Sequence, residues 1–284
     1  MLKLRDGIVE LYKKVATSLP SDVEEALKYA YSSETDEEAK ESLETILKKV
    51  PLSRKNAVPL CEDTGFPVFF VKVPIGISYQ MIRDVLAEAT RIATSKIPLT
   101  PNAVDIITGA NTGDNVGIYY PLIYIEETLE STFTVDLMLR CADCENMSAT
   151  YKLPLLFNTK EGNVLAERNF DGVKKCVIDS ILINNKDKKC APYSLGIAIG
   201  GMRDQVTFLS KRQLLRRITS RHPNEKVAIF EKETLDDINN LMTISGRKIK
   251  ALSVKLDTAH RHPGTFFADI SYACWAYRKA RLMW

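Results

Sequence analysis

The sequence of 284 residues predicts a mixed α/β (α+β) fold on three observations. Segments rich in β-branched and aromatic residues, typical of strands, occur at 66–73 and, with alternating apolar positions, at 132–139. Between them, apolar residues at 82–93 recur at helical spacing. Hydrophobic residues make up 45% of the chain, which is enough for a sizeable buried core. Strands that alternate with helices favour α/β or α+β over a sandwich of sheets.

The remaining elements follow in chain order. Residues 1–50 are predicted to be helical, because 21–24 and 35–38 both fit a capping box, in which side chains satisfy the first backbone N–H groups of a helix. Residues 97–117 are rich in Pro, Gly, Asn and Thr. They predict a long functional loop, with a plain surface excursion as the alternative. Apolar patterns predict further strands near 117–126, 195–199, 226–231, 249–256 and 265–272, and helices near 172–183, 210–219 and 233–243.

Domain organisation and composition narrow the class of protein. No repeat or long linker interrupts the chain, so we expect one domain over 1–284 with a helical segment at about 1–50. The formal net charge is +3, with acids and bases interspersed, which argues against nucleic acid or an anionic membrane as a partner. The basic stretch 211–221 is interpreted as a solvated helix face. No signal peptide or apolar run of membrane-spanning length is present, so a cytoplasmic location is expected.

Three of the six cysteines stand in settings that indicate a metal centre. Cys61 opens the run Cys-Glu-Asp-Thr-Gly directly before an apolar stretch, Cys190 precedes a glycine-bordered strand, and Cys274 stands near the end of the chain. In a cytosolic protein, cysteines are expected to be thiols or metal ligands and not disulfides. Their spacing carries no local metal signature, so a small buried hydrophobe remains the alternative for each. Cys176, in an apolar helix, is assigned to the core.

Several motifs in order resemble the alpha subunit, or N-terminal domain, of the iron-sulfur hydro-lyases, the family of class I fumarase and L-tartrate dehydratase. The resemblance covers most of the chain and implies the fold of the class I fumarase N-terminal domain, with mixed sheets flanked by helices. Its motifs are Cys-Glu-Asp-Thr-Gly at 61–65, Pro-Asn-Ala-Val-Asp at 101–105, Asn-Thr-Gly-Asp-Asn at 111–115, Glu-Asn-Met-Ser at 145–148, Cys-Ala-Pro-Tyr at 190–193, Ser-Lys at 210–211 with Leu-Leu-Arg at 214–216, and Cys-Trp-Ala at 274–276.

The resemblance also implies a cofactor and catalytic residues. Cys61, Cys190 and Cys274 match the three ligands of a [4Fe-4S] cluster, whose fourth iron is left open to act as a Lewis acid. Asp63 matches the residue that transfers a proton, although an Asp before Thr-Gly can also cap a turn. His262, twelve residues before Cys274, matches a family histidine, with a structural donor as the alternative.

On the substrate side the chain departs from the family pattern. The resemblance implies substrate-binding roles for Glu62, Thr100, Asp143, Glu145 and Asn146, with a surface ion pair as the alternative for Glu145. Glu62 replaces Gln, Thr100 replaces an arginine that would bind a carboxylate, and the segment 141–144 (Cys-Ala-Asp-Cys) replaces a glycine-rich loop. These changes make the pocket more acidic, so we expect a different hydroxy acid or a changed role.

The predicted function is the alpha subunit of a hydro-lyase that hydrates or dehydrates a small hydroxy dicarboxylic acid. A separate beta subunit would complete the site, in an α2β2 assembly with dimerised alpha chains. The first alternative is a non-catalytic cluster-binding or regulatory paralogue. The second is a zinc-binding interaction module that uses Cys141, Cys144, His260 and His262.

Overall fold

The computed structural model describes residues 2–159, 162–184, 191–241 and 250–284, and within these it confirms the mixed α+β fold. The helices are α1 (Leu2–Thr17), α2 (Ser21–Ser33), α3 (Glu37–Asn56), α4 (Tyr79–Lys96), α5 (Ala142–Met147), α6 (Phe170–Asn184), α7 (Arg203–Gln213) and α8 (Glu225–Asn240). The strands are β1 (Phe66–Pro74), β2 (Leu122–Thr128), β3 (Thr134–Arg140), β4 (Ala149–Lys152), β5 (Leu155–Thr159), β6 (Gly162–Ala166), β7 (Tyr193–Gly200), β8 (Ala251–Thr258), β9 (Phe267–Ala273) and β10 (Lys279–Met283).

The chain divides into two compact units. The first consists of Met1–Ser21, Thr45–Ala142 and Ala276–Trp284. Its sheet has the order β10-β3-β1-β2, with β1 antiparallel to β3 and parallel to β2. Helices α1 and α4 pack against it, and the ring of Tyr12 meets that of Phe69 edge to face at 5.7 Å while its hydroxyl bonds Thr90 at 2.8 Å. Removal of this apolar surface from water stabilises the unit.

The second unit consists of Asp22–Glu44 and Asp143–Trp275. Its larger sheet has the order β4-β9-β7-β8, in which β7 runs parallel to β8 and antiparallel to β9. Gly196 in β7 admits the close approach of α7, because a Cβ there would lie 2.1 Å from the carbonyl oxygen of Ser210. Strands β5 and β6 form a separate hairpin. The antiparallel register pairs Ser194 with Ala273, so the start of β7 lies beside the end of β9.

Most predicted elements are confirmed, with bounds that shift by a few residues, and the loop 97–117 contains neither helix nor strand. The predicted strand at 226–231 is wrong, since these residues form the first turns of α8, whose N-terminus is capped by Asn224. The apolar run Val-Ala-Ile-Phe at 227–230 fits a strand or a buried helix equally well. The predicted helix at 210–219 is displaced, because α7 ends at Gln213.

The remaining predictions are refined by the structure or stay open. Asp36, and not Thr35, caps α3 by accepting the N–H of Ala39 at 2.9 Å. The strand predicted near 117–126 is β2, and the final part of the helix predicted at 233–243 lies outside the described residues, as does position 249. The single domain over 1–284 stays a prediction. Among the residues described, no helix combines the length and the apolar character that crossing a membrane requires.

Candidate active site

The loop that carries Cys61 is anchored at both ends in the first unit. Leu60, fully buried, donates its N–H to the carbonyl of Ala16 at 2.9 Å, and Gly65 leads directly into β1. Gly65 has a positive φ of 90°, and a Cβ there would lie 2.8 Å from the carbonyl oxygen of Arg140. Only glycine fits this close approach without strain. The Cys61 thiol is partly exposed and in no disulfide, so it is available as a ligand.

Asp63 is held by backbone donors on both carboxylate oxygens. Its Oδ1 accepts the N–H of Gly65 at 2.9 Å, and its Oδ2 accepts the N–H of Ala142 at 2.8 Å. The bond to Gly65 is the turn cap that the sequence offered as the alternative, while the bond to Ala142 joins residues far apart in the chain. The carboxylate is therefore fixed in orientation two residues after Cys61.

A buried arginine, which the sequence gave no reason to single out, lies under the same loop. Arg278 is 1% exposed, and its Nη1 donates to the carbonyl oxygen of Asp63 at 2.8 Å. Its Nε and Nη2 have no hydrogen-bond partner among the described residues. A buried guanidinium with unsatisfied donors is costly, so the geometry calls for an anionic group or ordered water beside it.

Tyr120 adds a second buried donor near Asp63. Its hydroxyl is enclosed and has no hydrogen-bond partner within the described residues, and its ring lies 4.2 Å from that of Phe66. Burial first, and then the negative charge of Asp63, raise the pKa of Tyr120 above its ordinary value. The hydroxyl therefore stays protonated over the physiological range and can donate a hydrogen bond.

The loop 97–117 contacts the Cys61 segment through Thr100 and Asn102. The N–H of Thr100 donates to Thr64 Oγ1 at 2.9 Å, its hydroxyl donates to the carbonyl of Glu62 at 3.3 Å, and the Asn102 side chain donates to the carbonyl of Gly65 at 3.3 Å. Asn115, with a positive φ of 59°, supports the loop by bonding the N–H of Asn102. Thr100 thus turns its side chain toward the backbone of the Cys61 loop, and the side chain of Glu62 is exposed.

Two cysteines depart from the expectation that all six are reduced. Cys141 and Cys144 form a disulfide across the start of α5. Cys274, directly after β9, keeps its thiol, and its Sγ lies within 4.8 Å of that of Cys144. All three are buried. Cys176 is a core residue as predicted, and burial raises its pKa to about 12.

The three predicted substrate residues around α5 are all exposed. Asp143, Glu145 and Asn146 lie on the solvent side of this short helix. Glu145 forms an ion pair with Lys211, whose side chain is buried. Lys211 belongs to the stretch interpreted as a solvated face, so that interpretation is wrong for this residue. The family motif Ser-Lys was the signal that could have identified it.

His262 lies at the other end of β9 from Cys274. Strand β9 advances six residues from Phe267 to Ala273, a length of about 20 Å at the usual rise of a strand. His262 is exposed, and its Nδ1 accepts the N–H of Gly264 at 3.0 Å within its own turn. The structure does not bring it to Cys274. Neither His260 nor His262 lies with Cys144 in a group of potential metal ligands among the described residues, so the predicted zinc-binding set is not assembled.

Cys190 lies outside the described residues. The described chain resumes at Ala191, three residues before Ser194, which pairs with Ala273 at the end of β9. Cys61 in the first unit and Cys274 in the second each carry a thiol, which is the donor that iron-sulfur groups require, and the unsatisfied donors of Arg278 suit an anion beside the Cys61 loop. Cys61 and Cys274 are the described candidates for holding it.

Comparison with known proteins places these residues in context. The family model described as fumarate hydratase (fumerase) matches residues 5–283. The chain is 35% identical over 288 residues to a protein of Methanocaldococcus jannaschii named for the alpha subunit of L(+)-tartrate dehydratase, with 98% of this chain and 96% of that protein covered. It is 29% identical over 292 residues to the L(+)-tartrate dehydratase subunit alpha of Escherichia coli K12, covering 99% and 90% of the two chains.

A third relative is longer. A protein of Geobacillus stearothermophilus whose name assigns it to class I fumarate hydratase is 34% identical over 283 residues, which cover 98% of this chain. The chain spans 54% of the length of that protein.

Proposed function

The chain belongs to the fumarate hydratase (fumerase) family, and on that premise we propose that it is the alpha subunit of an iron-sulfur hydro-lyase. The reaction is the reversible hydration or dehydration of a small hydroxy dicarboxylic acid of the fumarate/malate or tartrate type. The observation that carries the proposal is the fixed Asp63 carboxylate, two residues after Cys61 in a loop whose backbone the buried Arg278 holds. A proton-transfer group must be held in one orientation against its substrate, and two backbone donors achieve this here.

The cofactor is proposed to be a [4Fe-4S] cluster held by Cys61, Cys190 and Cys274. When bound, such a cluster supplies a Lewis acid at its open iron, which polarises the C–OH bond of a hydroxy acid. Asp63 Oδ1 or Oδ2 takes the proton from the substrate carbon in dehydration and returns one in hydration. Arg278 donates to the backbone carbonyl of Asp63, and the Tyr120 hydroxyl, which burial and the charge of Asp63 keep protonated, is proposed as a further donor in the site.

Substrate binding is proposed for Glu62, Thr100, Asp143, Glu145 and Asn146, and a catalytic role for His262 stays a prediction that its exposed position does not support. Thr100 donates to the carbonyl of Glu62, so the position that carries an arginine in the family pattern is used here to order the loop. This favours a substrate bound with fewer cationic contacts from this chain. The second candidate is a non-catalytic paralogue, and the experiment described below distinguishes it from the enzyme.

A separate beta subunit is proposed as the partner, because the two relatives that this chain covers almost entirely are named as alpha subunits. It would supply the remaining substrate contacts in an α2β2 enzyme with an alpha dimer, located in the cytoplasm. The isolated chain is then expected to bind the cluster but to show little turnover.

The test begins with the full chain purified anaerobically and reconstituted with iron and sulfide. About four irons and four acid-labile sulfides per chain are expected for a cube cluster, with loss of both in Cys61→Ser and Cys274→Ser and retention in the core control Cys176→Ser. Hydration of fumarate and dehydration of malate and tartrate are then measured with the beta subunit added. Cluster binding without turnover of any of these acids would favour the paralogue, and absence of the cluster would refute the proposal.

A further inference from the structure

We propose that a cavity in the second unit, between α6 and the hairpin of β5 and β6, binds a small organic ammonium ion. The apolar body of this ligand contacts the cavity walls, and its charge pairs with the carboxylate of Asp179. The cavity has a volume of about 240 Å³, and every residue that lines it lies within Asp143–Trp275. None of these residues has a role in the proposed hydro-lyase reaction, so the inference goes beyond that function.

The two walls of the cavity follow from the pattern of the sequence. Phe157 of β5 and Val164 of β6 are directly paired, so their side chains stand next to each other on one face of the hairpin. The other wall is one side of α6, because its members recur at intervals of three and four residues. They are Asp171, Lys174, Lys175, Ile178, Asp179 and Leu182. Leu182 is 46% exposed, so the cavity opens to solvent at this residue.

Both lysines of the cavity are already paired with carboxylates. The ammonium group of Lys174 lies 3.1 Å from the carboxylate of Glu233 and 3.2 Å from that of Asp237. The ammonium group of Lys175 lies 3.0 Å from the carboxylate of Asp171, one turn earlier in α6. An anionic ligand would have to compete with these carboxylates for either lysine. The charges around the cavity therefore favour a cation as its occupant.

Asp179 has no cationic partner among the described residues. Its Oδ2 accepts the hydroxyl of Tyr151 at 3.2 Å, and this bond leaves further acceptor positions on the carboxylate. Burial raises the pKa of Asp179 above its ordinary value, and the hydrogen bond from Tyr151 opposes the rise. A bound ammonium group would stabilise the charged carboxylate, which burial disfavours.

The apolar and aromatic surroundings of Asp179 suit an organic cation. The ring of Tyr151 meets that of Phe157 edge to face, with 6.1 Å between the ring centroids. Aromatic faces attract ammonium groups, and the aliphatic walls remove an apolar body from water. A cavity of about 150 Å³ is enough to hold benzene. The present volume of about 240 Å³ therefore leaves room for one ring with a short alkylamine chain, such as phenethylamine.

The proposal is tested by titrating the full chain, labelled at its Ile, Leu and Val methyl groups, with phenethylamine at neutral pH. The NMR signals of Val164, Ile178 and Leu182 are expected to shift most, with a dissociation constant of about 1 mM or lower. Phenethyl alcohol, which has the same shape without the charge, should bind about tenfold more weakly. Equal affinities of the amine and the alcohol, or the absence of shifts at these methyl groups, would overturn the proposal.

Two variants test the contact with Asp179. Asp179→Asn removes the charge but keeps an acceptor for the Tyr151 hydroxyl, and it should weaken phenethylamine binding about tenfold. Glu233→Gln is the matched control, because it removes a nearby charge while Lys174 keeps Asp237 as a partner. Equal losses of affinity in both variants would indicate general attraction of the cation by acidic residues, and they would contradict the pairing with Asp179.

Leu182→Trp tests the cavity without any change of charge. The side chain of Leu182 is largely exposed, so the chain should fold, and the larger indole should fill the opening and prevent phenethylamine from binding. A folded variant with wild-type affinity would overturn the proposal even if Asp179→Asn did not fold. The titrations use no iron, sulfide or hydroxy acid, so their outcome does not depend on the cluster or on the proposed reaction.

Discussion

Asp63 in the first unit and Asp269 in the second are both held by several hydrogen-bond donors, yet their surroundings differ. Asp269 is 3% exposed, and within the described ranges its carboxylate accepts from four hydroxyl groups, which are those of Thr150, Thr207, Ser210 and Ser271. Asp63 is half-buried and accepts from two backbone N–H groups, beside buried donors of Arg278 and Tyr120 that have no partner in the part of the chain described.

The difference separates an acid that stabilises the fold from one placed for chemistry. The hydroxyls around Asp269 satisfy its lone pairs and fix β9 against α7 and β4, so nothing in that network awaits a ligand. Around Asp63 the donors exceed the acceptors, and a group that carries negative charge or lone pairs would satisfy them. Unsatisfied groups that persist in a native fold point to a site that is completed on binding.

The largest effect is expected from Asp63→Asn. Loss of the proton-transfer group should lower kcat of the enzyme assembled with its beta subunit by about 1,000-fold, within the usual range for a general acid or base. The amide keeps one acceptor for the two backbone donors, so the free energy of unfolding should fall by only about 1–2 kcal/mol. Steady-state kinetics and urea denaturation measure the two quantities. If kcat of the variant stays within about threefold of wild type, Asp63 is not the proton-transfer group.

Asp269→Ala should have the opposite profile. It leaves the surrounding hydroxyls without their shared acceptor, which should lower the free energy of unfolding by about 3 kcal/mol, as measured by urea denaturation. The kcat of the molecules that remain folded should change little. Asp136→Asn, which breaks the surface pair with Arg281, is the matched control and should cost no more than about 1 kcal/mol. If the two variants lower the free energy of unfolding equally, Asp269 contributes no more to stability than the surface residue Asp136.

Arg278→Met tests whether the buried cation positions Asp63. Removal of the donor to the Asp63 carbonyl frees the loop, and a displacement of the carboxylate by about 1 Å is enough to lower kcat by about 100-fold. Arg278→Lys, which retains the positive charge and a group that can donate, should recover part of that loss. A fall in stability without a change of kcat, in both variants alike, would make Arg278 a purely structural residue.

Tyr120→Phe is expected to have the smallest effect. It removes one hydroxyl that has no partner among the described residues, so the free energy of unfolding should stay within about 0.5 kcal/mol of wild type. If the hydroxyl donates to the carboxylate region in the working enzyme, kcat falls by about tenfold. The pH profile of kcat, measured against Asp63→Asn, shows whether the two groups act together. If the variant loses stability and kcat is unchanged, Tyr120 stabilises the fold, as the network around Asp269 does, and takes no part in catalysis.

Some of this protein was determined by the sequence alone. The mixed fold, the strand after the Cys61 motif, the helix α4 and the irregular loop 97–117 follow from local patterns, because periodicity and turn-forming residues act over a few residues of chain. The family followed from several motifs in order. The strand predicted at 226–231 was wrong for the same physical reason, since a short apolar run does not distinguish a buried strand from a helix.

The environment of each side chain was decided by the tertiary structure. Arg278, Lys211 and Asp269 appear in the sequence as ordinary charges, and only the packing of distant strands and helices buries them. The sequence spacing of twelve residues between His262 and Cys274 does not fix the distance between them. In the structure they lie at opposite ends of a strand about 20 Å long. Ser148, which bonds both the carbonyl of Cys144 and the N–H of Tyr272, likewise joins two segments that are far apart in the chain. Contacts across such separations are set by the sheet as a whole, and no window of the sequence contains them.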